Sequence, residues 1–193
     1  MRSHCVFCGS SPGARAEYSA VARQLGLSLA RRGVRLVYGG ARVGLMRELA
    51  DAVRGAGGEV TGVIPEGLRT REVAHTDLPD LRVVRSMHER KALMGDLADG
   101  FLAIPGGAGT LEEFFEVWTW AQLGIHRKPC GLLNVRGYFD GLLAFLDHAV
   151  AERFLRVEHR AMVLVDDDGE RLLERFAAYR APDVAKWIDR AET

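Results

Sequence analysis

Short apolar runs alternate with stretches of helical periodicity along almost all of this 193-residue chain, and few folds satisfy that alternation. The apolar runs fall at residues 5–8, 34–38, 60–64, 81–84, 100–104, 131–133 and 162–165. Helical patterns occupy 16–32, 45–54, 87–97, 111–123 and 138–153, with a last one at 170–178. Strands joined through helices run parallel, because a tight hairpin cannot connect them that way. A parallel sheet in turn needs both faces covered by its crossover helices. The expectation is therefore α/β: one domain over residues 1–181, a doubly wound parallel sheet with helices on both faces, followed by a C-terminal tail over 182–193. The longest irregular piece, 65–80, carries charges and two prolines, and a loop of that length in a compact domain is usually functional or mobile.

The totals narrow the partners. Hydrophobic residues make up 48% of the chain, enough for a full core and too many for default disorder. Lys+Arg and Asp+Glu both number 26, and no basic run stands out, which argues against nucleic acid as a partner. No stretch reaches the roughly 18 apolar residues of a membrane span, and Met1-Arg2-Ser3-His4 lacks the layout of a signal peptide. Three cysteines fit a reducing compartment better than a disulfide scaffold, so a cytoplasmic location is expected. Cys5-Val6-Phe7-Cys8 has redox or metal spacing, but Cys130 stands alone and zinc wants four ligands. Packing of small apolar side chains in a first strand is the favoured account, and no metal site is expected.

Three glycine-bearing turns follow strand-like runs: Cys8-Gly9-Ser10-Ser11, Tyr38-Gly39-Gly40 and Pro105-Gly106-Gly107. In a Rossmann-like sheet the ligand crevice opens at the carboxyl edge, where strand order reverses. With a strand order of 3-2-1-4-5 these turns would share one crevice. Neither the G-x-G-x-x-G fingerprint nor an acidic residue closing the second strand is present, and a Walker A loop is missing too. A mononucleotide or sugar phosphate suits the crevice better than a dinucleotide.

The run Gly106-Gly107-Ala108-Gly109-Thr110-Leu111-Glu112-Glu113 opens a helical pattern directly after a strand. Glycines let successive N–H groups form a nest, and the helix start adds unpaired donors and a positive dipole end, a combination that suits phosphate. Glu113, a turn beyond, would be wasted on a site that only held phosphate. It is either a carboxylate with chemistry to do or the last member of a Thr110–Glu113 capping box. Ser86-Met87-His88-Glu89 has capping-box spacing too, which places Arg90 and Lys91 in the first turn of a helix, where the dipole disfavours cations. They either meet an anion or form a surface pair with Glu89 or Glu59. Met87 and Met94 share their face and imply an apolar rim. Glu72 lies in the long loop and reads locally as surface charge. The 111–123 pattern is apolar nearly all round, which means burial inside the chain or at a subunit interface.

With these residues laid out, the chain resembles the LOG (Lonely Guy) family of cytokinin riboside 5'-monophosphate phosphoribohydrolases, often mislabelled lysine decarboxylases. The likeness runs from about residue 5 to 160. It rests on Val6-Phe7-Cys8-Gly9-Ser10-Ser11, Leu36-Val37-Tyr38-Gly39-Gly40, Val43-Gly44-Leu45-Met46, Met87-His88-Glu89-Arg90-Lys91 and Pro105 through Glu113. Trp120 to His126, Lys128-Pro129 and Gly131 to Val135 extend it. The resemblance implies hydrolysis of the N-glycosidic bond of an adenosine-type 5'-monophosphate, with Arg90 and Glu113 as the catalytic pair. It implies substrate binding by Glu72, Lys91, Thr119 and Gly107 through Glu113, no cofactor or metal, and a homodimer, for which the aromatic helix is the expected contact. Gly9, Ser10, Gly39, Gly40, Gly106 and Met87 complete the expected binding surface. Two positions depart from the family pattern: Ala41 replaces a third glycine and Arg47 replaces the glycine after Gly44-Leu45-Met46. A generic AMP nucleosidase and a non-catalytic nucleotide carrier are the alternatives.

Overall fold

The computed structural model describes residues 1–69 and 74–183. Among these, seven strands form one sheet in which every pairing is parallel: β1 (Ser3–Phe7), β2 (Arg35–Tyr38), β3 (Val60–Pro65), β4 (Asp80–Val84), β5 (Phe101–Ala103), β6 (Cys130–Leu133) and β7 (Val163–Asp166). Their order is β4-β3-β2-β1-β5-β6-β7. This corrects the expected 3-2-1-4-5: the fourth strand lies at the edge beside β3, and the fifth lies beside β1. The cause is the connection after β3. Among the described residues it holds one helical turn, α3 (Glu66–Leu68), and the strand that follows pairs from Thr61↔Asp80 to Pro65↔Val84. The Thr61 hydroxyl donates to the Asp80 carboxylate at 2.6 Å where that pairing begins. The long crossover is made afterwards by α4 (Met87–Leu97), which carries the chain from the edge to the centre of the sheet.

Side chains alternate across the pleat and so divide the core in two. Val6 of β1 and Cys8 just beyond it pack with Leu36, Tyr38 and Leu102 under α1 (Ala16–Arg31), α2 (Gly44–Gly55) and α8 (Gly169–Ala178). Cys5 and Phe7 face the other way, with Val37, Val63 and Phe101, under α4, α5 (Ala108–Gln122), α6 (Asp140–Ala151) and α7 (Val157–Ala161). The short α7 has no counterpart in the sequence pattern. It is held by the Trp118 indole, which donates to the His159 carbonyl at 3.0 Å. All three cysteines are buried thiols whose acidity burial suppresses. No helix among the described residues is long and apolar enough to cross a membrane.

Candidate active site

Sheet order brings the turns after β1 and β5 side by side at the carboxyl edge, one strand from the turn after β2. Backbone hydrogen bonds lock them: Gly9 N–H donates to Pro105 O at 3.0 Å, and Leu45 N–H donates to Gly9 O at 3.0 Å. A side chain at Gly106 would collide with Thr110 and approach Gly9 N to 2.8 Å, so glycine is what allows the two turns to touch. Between them opens a cleft of about 270 Å³ lined by Ser10, Ser11, Tyr18, Gly106, Gly107 and Tyr138.

Helix α5 starts at Ala108 with Gly107 as its extended N-cap, three residues earlier than the 111–123 pattern implied. Thr110 therefore sits inside the first turn, buried, and the Thr110–Glu113 capping box does not form. The first-turn N–H groups, beginning at Gly107, are the donors that a helix start leaves without intrahelical acceptors, an arrangement that suits an anion.

Glu113 instead accepts from Arg90, with Nη1 to Oε1 at 2.5 Å and both side chains buried. The Ser86 cap does form: its hydroxyl accepts from Glu89 N–H at 3.1 Å, while the Glu89 carboxylate accepts from Arg85 N–H at 2.8 Å. This start aims Arg90 inward, so it is no surface partner of Glu89 or Glu59. Its Nε donates to Val63 O at 3.1 Å, and its Nη2 occupies the place where a Gly39 side chain would stand. Burial pushes the Glu113 carboxyl above its ordinary value, against the pull of the Arg90 charge and hydrogen bond. The ion that chiefly opposes its protonation is Arg90.

Lys91 is held differently. Its Nζ meets Glu112 at 2.5 Å and Glu116 at 3.1 Å, and these hydrogen bonds and charges raise its basicity. It ties α4 to α5, and the anions that offset two cations in the α4 first turn are Glu113, Glu112 and Glu116. Met94 is buried and Met87 exposed, which makes the rim one-sided. Ala108 and Gly109 are exposed at the α5 start, beside half-buried Leu111. Thr119, half-buried, lies about 18 Å along α5 from Gly107 at 1.5 Å per residue, so one chain does not bring it to the nest. Glu72 lies outside the described residues. Ala41 bridges Ala74, and Arg47 reaches one turn along α2 to Asp51 at 3.4 Å, exposed.

Three contributors went unnoticed in the sequence. His75, fully buried, donates its backbone N–H to Gly40 O at 2.8 Å, and its Nδ1 lies 2.9 Å from the Tyr38 hydroxyl, bracing the second turn from behind. Burial lowers its pKa. Tyr18 and Tyr138 meet edge to face at 5.6 Å over the cleft. The only available sequence signal was position, since Tyr138 follows a glycine just past the sixth apolar run.

A buried carboxylate on an arginine, beside an anion seat, can stabilise a developing cation in a molecule held by its phosphate. Residues 46–176 match the family model described as "possible lysine decarboxylase". A probable cytokinin riboside 5'-monophosphate phosphoribohydrolase of Oryza sativa (LOGL5) is 52% identical, over 94% of this chain and 74% of its own. A cytokinin riboside 5'-monophosphate phosphoribohydrolase of Rhodococcoides fascians is 50% identical, over 94% of this chain and 90% of its own. Among solved structures, the molybdenum cofactor carrier protein of Chlamydomonas reinhardtii superposes with a TM-score of 0.69 at 20% identity, covering 92% of this chain and 99% of that one. At that identity the likeness is one of fold. By the family model and by relatives half identical over nearly its whole length, the chain belongs to the LOG family of phosphoribohydrolase-like proteins.

Proposed function

We propose that this protein hydrolyses the N-glycosidic bond of N6-substituted adenosine 5'-monophosphates, the cytokinin riboside monophosphates, releasing free base and ribose 5-phosphate. The observation that carries this is the buried Arg90–Glu113 pair beside the α5 amino terminus. Breaking the bond builds oxocarbenium character on the ribose, which the Glu113 carboxylate stabilises, and the same carboxylate takes a proton from the attacking water. Arg90 fixes the orientation of that carboxylate. The nest from Gly107 to Thr110 takes the 5'-phosphate, while Gly9, Ser10, Gly39, Gly40 and Met87 border the rest of the nucleotide, with Glu72, Lys91 and Thr119 as further binding positions. The relatives named for this reaction support the choice of substrate.

The decarboxylase description of the family model fits these residues poorly. A lysine that forms a Schiff base needs a depressed pKa, whereas Lys91 is raised by its carboxylate partners. Lys128 donates to Gly95 O at the opposite edge of the sheet, and Lys186 lies outside the described residues. The proposal extends to a single domain over 1–181, a cytoplasmic location and a homodimer. Exposed Phe145, Phe154 and Val157 on α6 and just beyond it lie on the same face of the sheet as α5, with half-exposed Phe115 and Trp120. A second copy would cover them.

The test is incubation of the purified protein with isopentenyladenosine monophosphate and with AMP, followed by quantification of free base and ribose 5-phosphate. Release of base that disappears in Glu113→Gln supports the proposal, and comparative rates separate it from a generic AMP nucleosidase. Saturable binding with no base released would make the protein a carrier. The same preparation is expected to sediment at twice the chain mass.

A further inference from the structure

We infer that Tyr138 is a positioning residue for the anion seat: its hydroxyl sets the direction of the Gly107 N–H. The inference rests on reading the α5 amino terminus as the place of the 5'-phosphate. Tyr138 is 43% exposed, yet its hydroxyl is spent on a backbone carbonyl, donating to Gly106 O at 2.6 Å. The chain contains no cis peptide among the described residues, so the Gly106 carbonyl and the Gly107 N–H point in opposite directions across one planar unit. Anchoring the carbonyl on Tyr138 therefore aims the N–H away from it. That N–H belongs to the N-cap of α5, one of the four donors a helix start leaves without an intrahelical partner. The preceding peptide is held in the same manner, with Pro105 O accepting from Gly9 N–H at 3.0 Å. The two bonds leave the glycine turn no freedom to rotate its peptides, and a nest binds an anion well only when its donors already point inward.

The loop that delivers Tyr138 shows that this placement is built. Arg136 adopts φ 54° and Gly137 φ 72°, two consecutive left-handed residues directly before the tyrosine. For an arginine that conformation carries strain, and such strain persists only where surrounding contacts impose it. Here the Asn134 side chain imposes it, accepting from Phe139 N–H at 2.7 Å and donating to Asp140 Oδ1 at 2.7 Å. The Tyr138 ring is then clamped edge to face by Tyr18 at 5.6 Å and by Phe139 at 5.0 Å. A residue needed only for packing would be served by the ring alone. The strained loop and the ring clamp together deliver one oxygen to one carbonyl.

The test compares Tyr138→Phe with the wild type, since the variant keeps the ring and its contacts. KM for AMP, and the Kd for inorganic phosphate measured by calorimetry, are both expected to rise about tenfold, the worth of one well-made hydrogen bond. The turnover number should stay within about threefold, and kcat/KM for adenosine, which lacks the phosphate, should not change. Unchanged phosphate affinity overturns the inference, and so does an equal loss for AMP and adenosine, which marks a purely structural tyrosine. A wild-type protein with no measurable phosphate affinity overturns it as well. If the wild type releases no base from any nucleotide, the hydrolase proposal fails, while the phosphate Kd of the two proteins still decides the role of Tyr138.

Discussion

Two opposed influences act on Glu113: removal from water, which favours its neutral form, and the Arg90 guanidinium at 2.5 Å, which favours its anion. Burial is the larger, so the carboxyl titrates above the ordinary 4.5. Catalysis by this group needs the anion, so activity should fall as pH drops through the raised value. The kcat/KM profile for AMP is expected to show an acid limb with its midpoint above 4.5, and Glu113→Gln should cost about 10²- to 10⁴-fold in kcat, the usual worth of a positioned acid or base. A limb at or below the ordinary carboxylate range would mean that another group controls the rate. From sequence this residue was undecidable on local grounds. Thr110 and Glu113 have the spacing of a helix cap, and the partner that takes Glu113 instead, Arg90, is 23 residues away in the chain.

At the level of elements, the site is where the amino ends of α4 and α5 meet over the turn that follows β2. The sequence pattern matches α4 to the residue, Met87–Leu97, because the Ser86 cap marks its start. It misplaces the start of α5, because Gly107 adopts an extended conformation that lets helix begin at Ala108, and glycines carry no periodicity to read. The use of Gly39 was equally hidden. Its lack of a side chain lets the Arg90 guanidinium pass across the β2 turn to Glu113, and a methyl group there would stand on Nη2. Gly39→Ala is therefore expected to push the guanidinium off the carboxylate. Since displacements of about 1 Å at a reacting centre cost about 10²-fold, kcat/KM for AMP should fall by that order while the far-UV circular dichroism stays unchanged. Full activity in this variant would show that Arg90 does not need the position it holds here.

For the molecule as a whole, alternation of strands and helices made a parallel sheet legible, while the place of the fourth strand was not. Strand order is fixed by which connection makes the crossover, and residues 65–80 carry no signal saying that they turn back beside β3. The same sheet has a second edge, away from the site, where pH acts on the fold and not on the reaction. His4 lies there at the start of β1, 3% exposed, its ring edge-on to Phe176 at 5.3 Å. Its Nδ1 has no hydrogen-bond partner among the described residues. Burial and the nearby amino terminus lower its pKa from 6.5 to about 4, against a weaker pull from Asp99. Because the folded value lies below the unfolded one, the unfolded chain binds the proton more readily between them. Stability is therefore complete above pH 6.5 and is lost as pH falls towards about 4, by at most about 3 kcal/mol for a shift of this size. Urea midpoints measured across that range should fall with acidity in the wild type and fall less steeply in His4→Leu. The difference between the two curves isolates this residue from the carboxylates that titrate alongside it, and parallel curves would show that His4 is not what makes the fold acid-sensitive.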